Sequence, residues 1–372
     1  MATLGKGFRD QFDWPLFVAV AALAVVGVTN LYSATSAARE GISELYIQQI
    51  YWLTLGAGAA VLIVAIDYRH FERFAWFAYG AGIVLLILVF LLAPEVRGSQ
   101  RWIRIGAFSL QPSETMKVFL IIALAKYLHN DPKTDGRTLK DLVIPGIILG
   151  VPMFLILRQP DLGTALMCAF IFASIMMLTN LKLRSLFTLV GTFVASAPLI
   201  WFVGLEEYQR GRFRSFFDMM FGENPDILGD GWHTYQSLVA IGSGGFWGKG
   251  FMQGTQNQHQ FLPDQHSDFP FSVWAEEHGF LGVMLLFGLY VFIILWGLKI
   301  ASTAKDRFGA VLAVGVSAFF FWHTVINLGM VCGLLPVVGV TLPLFSYGGS
   351  SVLTSMVGIG LLMNVSIRRF SF

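Results

Sequence analysis

The sequence predicts an all-α fold, a polytopic membrane helix bundle of about ten transmembrane helices. Composition is the first observation: 55% of the 372 residues are hydrophobic and only 13% are charged, whereas soluble domains carry about 25% charged residues. The mean hydropathy of +0.66 is the second. The third is a series of apolar runs of roughly 20 residues, the length at which a helix crosses a bilayer.

The predicted helices are centred near Val25, Ala57, Leu85, Ile122, Leu149, Phe172, Thr192, Phe287, Val316 and Gly358. The first run, from Pro15 to about Leu31, is longer than a signal-peptide core, so we expect it to be retained as a helix. The chain shows no internal repeat of fixed period and no low-complexity linker. We therefore expect one compact membrane domain over residues 1–372.

The loops between these runs differ in charge from one side to the other. With the N-terminal tail in the cytoplasm, every inner loop is basic, as the positive-inside rule requires. The basic residues are Lys6, Arg9, Arg69, Arg73, Lys133, Arg137, Lys140, Lys182, Arg184, Lys305, Arg307, Arg368 and Arg369. Most acidic residues then lie outside, among them Glu40, Glu44, Glu206, Glu207, Glu223, Asp226, Asp230, Asp264 and Asp268. We expect both termini in the cytoplasm and a large extracytoplasmic loop, about residues 204–268, between helices 7 and 8.

The remaining composition argues against several classes of protein. A net charge of +2 gives no indication of a nucleic-acid partner. Cys168 and Cys332 lie in apolar runs, and neither a CxxC pair nor a Cys/His cluster predicts zinc. The outer histidines His233, His259 and His266 fit no standard zinc spacing. We expect these loop histidines to be polar surface groups.

The glycine-rich segment GSGGFWGKG, residues 242–250, invites comparison with a phosphate-binding loop. It fails the Walker pattern, because Ser243 stands where a glycine is required and Gly250 replaces the Ser or Thr after Lys249. No nucleotide cofactor is therefore expected. A flexible turn that lines a cavity is the alternative, and Lys249 could meet an anion there.

The outer loop RGSQRWIRIGAFSLQPSE, residues 97–114, carries Arg97, Arg101 and Arg104 on the side where the charge rule disfavours them. The planar guanidinium group of arginine suits phosphate oxygens. The alternative is an amphipathic interfacial helix with Trp102 at the level of the lipid headgroups. The residues alone leave both interpretations open.

Two further polar positions lie at the outer ends of predicted helices. Glu114 and Lys117 share a helix face, and Lys117 lies one turn inside an apolar run, where its charge needs a partner. They could form a structural ion pair or contact a substrate. Asp161 lies in a tight outer turn with Arg158 and could simply cap the following helix.

The richest outer stretch is QFLPDQHSDFPFSVWAEE, residues 260–277, which places His266, Ser267 and Asp268 just before a helix. Ser267 or Asp268 could be only a helix N-cap. Alternatively, Asp268 lies at the outer membrane boundary, where partial dehydration raises the pKa of a carboxylate and suits it to act as a general base. The spacing alone favours neither interpretation.

Five segments together resemble the SEDS family, named for shape, elongation, division and sporulation. They are GSQRWIRIGAFSLQPSE (98–114), RQPDLGTAL (158–166), QSLVAIGSGGFWGKGFMQGTQ (236–256), FLPDQHSDFPF (261–271) and GLLPVVGVTLPLFSYGGSS (333–351). The match runs almost end to end, and five such segments in one order are highly specific. The phrases AIGSGGFWGKG and LLPVVGV resemble the elongation branch of the family more than the division branch.

The resemblance implies a peptidoglycan glycosyltransferase of the bacterial cytoplasmic membrane, active in cell elongation. Such enzymes polymerise lipid II, an undecaprenyl-pyrophosphate-linked disaccharide pentapeptide, on the extracytoplasmic face. The family's proposed catalytic aspartate falls on Asp268. Within its LPE-x-HTDF motif, Asp264, Ser267 and Pro270 stand here for glutamate, threonine and isoleucine. Because proline favours the first position of a helix, Pro270 could shift the point at which the next helix begins.

The resemblance also assigns supporting residues. The QPSE glutamate and nearby lysine of the family fall on Glu114 and Lys117, and the QPDLGT aspartate falls on Asp161. Asp268 could coordinate a divalent cation, Mg²⁺ or Mn²⁺, as well as act as a base. Substrate binding is expected at Arg101, Trp102, Lys249, His266 and Ser267. The expected partners are lipid II, the nascent glycan strand, a class B penicillin-binding protein with transpeptidase activity, other elongation-complex proteins and membrane lipids.

Two alternatives to an enzyme remain at the level of sequence. A lipid flippase or transporter would also use many helices with intramembrane charges, although the unusual residues here cluster on one side and no inverted repeat is recognisable. A non-catalytic scaffold of the elongation complex would use the long outer loop and the lipid-facing helices only as docking surfaces. Glycan synthesis by the purified protein separates these alternatives.

Overall fold

The computed structural model describes residues 12–36, 44–94, 100–105, 108–131, 133, 136–204, 206–222, 229, 231–259, 261 and 265–369. Arg97 and Asp264, which the sequence singled out, lie outside the described residues. The helices are α1 (Trp14–Ser36), α2 (Leu45–Ala65), α3 (Tyr68–Arg73), α4 (Ala75–Leu92), α5 (Pro112–Asn130), α6 (Val143–Arg158), α7 (Leu162–Met177), α8 (Leu183–Leu199), α9 (Glu207–Phe221), α10 (Trp232–Gly244), α11 (Thr255–Gln258), α12 (Pro270–Ser302), α13 (Arg307–Val331) and α14 (Gly349–Arg368). One antiparallel hairpin joins β1 (Ile103–Ile105) to β2 (Phe108–Leu110).

The protein is a polytopic helical membrane protein, as predicted. Each of the predicted centres falls within a helix. Seven helical segments of the described chain are long and apolar enough to cross a membrane: α1, α2, α4, Leu139–Arg158 with α6, α12, α13 and α14. Helix α7 is a shorter apolar helix, so the total of about ten spans stays a prediction.

Helices α13 and α14 form the centre of the bundle, together with the buried face of α5. Side chains such as Leu312, Phe320 and Leu361 are at most 1% exposed. In contrast, α2 and α4 present large apolar side chains outward, including Leu62 at 66% and Phe77 at 78% exposure. A surface of this kind is stable against lipid chains rather than water.

The loops predicted to share one side of the membrane meet at one end of the bundle. At the basic end, Arg368 Nε lies 3.7 Å from Asp67 Oδ2, and the Tyr68 hydroxyl donates to Asp306 Oδ2 over 2.6 Å. These bonds join the loops that flank α3, α13 and the C-terminal end of α14. The charge pattern therefore grouped these loops correctly.

A non-helical segment, residues 332–348, returns into the bundle between α13 and α14 and is called the re-entrant loop below. Backbone without helical hydrogen bonds is tolerated at membrane depth only where protein buries it or where it lines a cavity. Here, buried side chains from α2, α12 and α13 donate to its carbonyl groups over 2.7–3.0 Å: Gln49 to Ser346, Tyr290 to Pro343, His323 to Thr341 and Asn327 to Val340.

The glycine-rich segment 242–250 has a structural partner that the sequence did not reveal. Helix α12 is broken at Gly279, whose φ of +60° lies in the left-handed region, which favours glycine because a Cβ would meet the following carbonyl. The break leaves backbone groups without helical partners. Residues 245–250 supply them through four bonds: Lys249 N to Glu276 O, Gly250 N to Glu277 O, Phe280 N to Gly245 O and Leu281 N to Phe246 O.

Candidate active site

A cavity of about 410 Å³ opens at the end of the bundle opposite the basic loops. Its walls come from the outer hairpin, the N-terminal parts of α5 and α7, helix α9, the turn before α12, α13 and the re-entrant loop. The sequence-predicted residues that line it are Arg101, Trp102, Glu114, Lys117, Asp161, His266, Ser267 and Asp268. Lys249 is absent from this lining, and so is every other residue of the glycine-rich segment.

Asp268 lies in a turn that ends just before α12. That helix begins at Pro270, with Phe269 as its N-cap residue and no side-chain cap. Neither Ser267 nor Asp268 is therefore the N-cap that the spacing allowed. The turn is fixed from outside: Asn327 Nδ2 donates to Asp268 O over 3.1 Å, and the backbone N–H of Tyr347 donates to His266 O over 2.9 Å. These bonds hold the backbone while the Asp268 side chain lines the cavity.

Lys117 lies at the base of the cavity and is fully buried. Its Nζ donates to Glu114 Oε1 over 2.8 Å and lies 2.9 Å from His323 Nε2. The predicted Glu114–Lys117 pair is thus present as an ion pair. Pro112 is the first residue of α5, and its fixed φ suits that position, so the pair follows within the first two turns.

Asp161 joins three parts of the outer wall. It caps α7 by accepting from Thr164 N over 3.2 Å, as the sequence allowed. It also accepts from Gln111 Nε2 over 2.9 Å and from Ser113 Oγ over 3.2 Å. The guanidinium of Arg101 donates to the backbone carbonyls of Gln159, over 3.1 Å, and Pro160, and its Nη1 lies 4.0 Å from the Asp161 carboxylate.

Lys249 pairs with an anionic side chain of the protein itself. Its Nζ donates to Glu276 Oε1 over 2.6 Å and to Thr255 Oγ1 over 2.8 Å. Glu276 is completely buried, and a buried carboxylate requires such a partner. The glycine-rich turn expected to line a cavity therefore packs against the break in α12, and the geometry gives Lys249 a structural contact.

Several cavity residues were not singled out from the sequence. They include Trp52, Tyr208, Arg212, His323, Tyr347 and Ser351. His323 carried a usable signal, because an ionisable residue inside an apolar helix is a functional candidate by default. Arg212 carried another, since it lies on the predicted outer side, where the charge rule disfavours arginine. The Tyr347 hydroxyl donates to Gln48 Oε1 over 2.7 Å.

The described residues contain no group of three or more His, Cys, Asp or Glu side chains placed to hold a metal ion. The carboxylates of Glu114 and Asp161 already accept from Lys117 and from Gln111. A hard divalent cation at Asp268 would therefore need oxygen ligands from a bound molecule, and phosphate oxygens are suitable.

A family model of cell cycle proteins, FtsW, RodA and SpoVE, matches residues 13–370. The chain is 37% identical over 366 residues to the peptidoglycan glycosyltransferase MrdB of Escherichia coli K12, covering 98% of this chain and 96% of MrdB.

Solved structures give the same result for the fold. The crystal structure of the rod shape determining protein RodA of Thermus thermophilus matches with a TM-score of 0.71 at 31% identity, covering 97% of this chain and 98% of RodA. A chain of a peptidoglycan synthase complex that coordinates polymerization and crosslinking matches with a TM-score of 0.80 at 31% identity, covering 97% and 99%. The chain therefore belongs to the FtsW, RodA and SpoVE family of cell cycle proteins, the SEDS family that its motifs resemble.

Proposed function

We propose that this chain is a glycosyltransferase that polymerises lipid II into β-1,4-linked glycan strands during cell elongation. Its relative MrdB is a peptidoglycan glycosyltransferase, and the two chains align over nearly their whole lengths. The observation that carries the proposal is the cavity, where Asp268 shares one enclosed space with the cationic side chains of Lys117 and Arg101. A base beside cations is the arrangement that this transfer requires.

The stereochemistry of the substrate and product defines the reaction. The donor sugar of lipid II is joined to pyrophosphate in the α configuration, whereas the polymer has β links, so each new bond requires one inversion. A single displacement gives one inversion and needs no covalent sugar–enzyme intermediate. The enzyme must then accept a proton from the attacking hydroxyl and stabilise the departing pyrophosphate.

We assign the base to Asp268. Its carboxylate accepts the proton of the 4-hydroxyl of the acceptor GlcNAc as that oxygen attacks C1 of the donor sugar. The bond from C1 to the pyrophosphate oxygen breaks, and the electron pair leaves with the pyrophosphate. His266 and Ser267, which precede the base and line the same cavity, are assigned to contacts with the sugars.

Lys117 and Arg101 are assigned to the pyrophosphate, with Trp102 beside Arg101 at the cavity edge. Lys117 is held by Glu114, and Arg101 lies against Asp161, so both cations are positioned before substrate enters. Positioning of this kind stabilises charge that develops in the transition state without reorganising the site. A Mg²⁺ or Mn²⁺ ion held by Asp268 and phosphate oxygens would supply further charge neutralisation when bound.

We place the cavity on the extracytoplasmic side of the bacterial cytoplasmic membrane. The support is the charge pattern: the basic loops occupy one end of the bundle, and the cavity lies at the other. Both lipid tails of the substrates can then remain in the bilayer while the sugars meet at its surface. The similarity to a synthase complex supports a class B penicillin-binding protein as the partner that crosslinks the strands.

The decisive test uses the purified full chain with defined lipid II, alone and with the transpeptidase partner. The wild type should form glycan, whereas Asp268→Ala and Asp268→Asn should lose polymerisation with and without Mg²⁺ or Mn²⁺. Wild-type rates for either variant would remove the base assignment. Lipid II transfer across proteoliposome membranes without glycan synthesis would favour a transporter, and wall growth supported by a folded Asp268 variant would favour a scaffold.

A further inference from the structure

Helix α9 lies beside the cavity and carries three closely spaced arginines. Its Phe217 and Phe221 side chains are 51% and 75% exposed, so the helix has an unpartnered apolar face. Arg210 Nη1 lies 3.7 Å from Glu207 Oε2, and Arg214 Nη1 lies 3.4 Å from Glu207 Oε1. These two arginines share one carboxylate on the helix itself.

Arg212 has a different environment from its two neighbours. It lines the cavity, and its Nη1 donates to Val337 O of the re-entrant loop over 3.1 Å. Its guanidinium lies 5.9 Å from the centre of the Tyr208 ring, and the Tyr208 hydroxyl donates to Pro160 O over 2.8 Å. Two side chains of α9 thus attach this helix to the re-entrant loop and to the turn before α7.

The guanidinium of Arg212 lies close to the carboxylate of Asp268. Both approach the bare Cα of Gly339, whose φ of +70° favours glycine. A methyl group at that Cα would lie 3.5 Å from Asp268 Oδ2 and 4.0 Å from Arg212 Nη1. The absence of a side chain at residue 339 leaves space between a carboxylate and an arginine at the place where the sugar would react.

The charges of the cavity differ in how far they are neutralised. Lys117 is paired with Glu114, and Arg101 lies within 4.0 Å of Asp161. Among the ion pairs of the described residues, none includes Arg212. A guanidinium has five N–H donors, and one bond to Val337 leaves donors that a phosphate can accept in a forked geometry.

We infer that Arg212 is a further substrate-binding residue, which contacts the pyrophosphate of the donor lipid beside Asp268. This inference rests on the proposed function. As the bond between C1 and the pyrophosphate breaks, negative charge increases on the phosphate oxygens, and the Arg212 guanidinium stabilises this charge together with Lys117 and Arg101.

The test compares three arginines of one helix. Arg212→Ala should lower kcat/KM for lipid II by about 10- to 100-fold, the range expected for loss of a charge-assisted contact. Arg212→Lys keeps the charge but loses the fork, so its loss should be smaller. Arg210→Ala and Arg214→Ala are the matched controls and should keep wild-type kinetics, since both arginines pair with Glu207.

A second variant separates substrate binding by Arg212 from the attachment of α9 to the re-entrant loop. Arg212→Gln retains an N–H donor for Val337 O but has no charge. If Gln restores wild-type kinetics, Arg212 only anchors α9 and the inference is overturned. The inference is equally overturned if Arg212→Ala has the kinetics of Arg210→Ala.

A binding measurement keeps this inference separate from the proposed reaction. The probe is undecaprenyl pyrophosphate, the product that leaves the donor, titrated into the purified full chain in detergent. Its Kd should rise about tenfold or more for Arg212→Ala and Arg212→Gln and stay unchanged for Arg210→Ala and Arg214→Ala. Loss of polymerisation by the wild type would overturn the proposed function, whereas equal affinity across all variants would overturn the role of Arg212.

Discussion

The Nζ of Lys117 lies 2.9 Å from the Nε2 of His323, at the base of the cavity. The other ring nitrogen, Nδ1, lies 2.9 Å from the carbonyl oxygen of Thr341. A carbonyl oxygen only accepts, so Nδ1 carries the proton and Nε2 accepts from the lysine ammonium group. His323 is therefore neutral in this arrangement, and it fixes the direction of one of the three N–H groups of Lys117.

His323→Ala should weaken the action of Lys117 without removing its charge. His323 accepts one N–H of the lysine and Glu114 accepts a second. The third N–H is then available to a ligand in the cavity. Loss of a hydrogen bond from a charged donor costs about 1.5–3 kcal/mol, so we expect kcat/KM for lipid II to fall about tenfold or more. Steady-state kinetics with defined lipid II measures this change.

A conservative variant tests whether His323 acts through its hydrogen bonds. His323→Gln has an N–H donor for Thr341 O and a carbonyl oxygen for Lys117, so it should recover part of the lost activity. Equal losses in His323→Ala and His323→Gln would indicate that ring packing, including the contact with Phe319 at 4.5 Å between ring centres, is what matters.

Asn327 should position the turn that carries Asp268, because its side-chain amide bonds both this turn and the re-entrant loop. Its Nδ2 donates to Val340 O over 2.7 Å and to Asp268 O over 3.1 Å. Asn327→Asp replaces this donor with an acceptor beside two carbonyl groups, which leaves buried polar groups unpaired at about 1–3 kcal/mol each. We expect a lower thermal unfolding temperature and a lower kcat in the remaining folded protein.

The control for this variant lies one turn away on the same helix. Thr324 is buried, but its hydroxyl donates to Phe320 O within α13, so Thr324→Val should leave kcat near the wild-type value. A folded Asn327→Asp enzyme with the kcat of Thr324→Val would contradict the positioning role.

The positions of Lys117 and Lys249 show what the sequence could predict and what it could not. An apolar run, a lysine one turn inside it and a glutamate on the same face were sufficient to place the Glu114–Lys117 pair. The third member, His323, is more than 200 residues away in the chain, and only the packing of α13 on α5 brings it there. Lys249 was expected to meet substrate because nothing local reveals that α12 breaks at Gly279.

Asp161 should stabilise the outer wall and also provide a negative charge beside Arg101. Asp161→Asn keeps the shape but replaces one acceptor oxygen by a donor, while Gln111, Ser113 and Thr164 all donate to this carboxylate. We expect a loss of about 1–3 kcal/mol in the free energy of unfolding, the cost of buried groups left unpaired. With the negative centre removed, KM for lipid II should rise more than kcat falls.

A second cap carboxylate provides the comparison for Asp161. Asp306 caps α13 at the basic end by accepting from Gly309 N over 2.8 Å, far from the cavity lining. Asp306→Asn should therefore lower the thermal unfolding temperature without changing KM. A matching KM increase in both variants would show that the effect of Asp161 is transmitted through general instability.

Alanine substitutions at two glycines of the glycine-rich segment should have different effects on stability. Gly248 has a φ of +80°, and a Cβ there would collide with the Glu277 backbone at the break in α12. The left-handed conformation alone costs about 1–2 kcal/mol for alanine, so Gly248→Ala should lower the thermal unfolding temperature. Gly242 is helical with nothing within 4 Å of its Cβ position, and Gly242→Ala should be neutral or stabilising by about 0.5–1 kcal/mol. Neither glycine lines the cavity, so both variants should keep the wild-type KM. A raised KM in folded Gly248→Ala would indicate that this segment contributes to the active site.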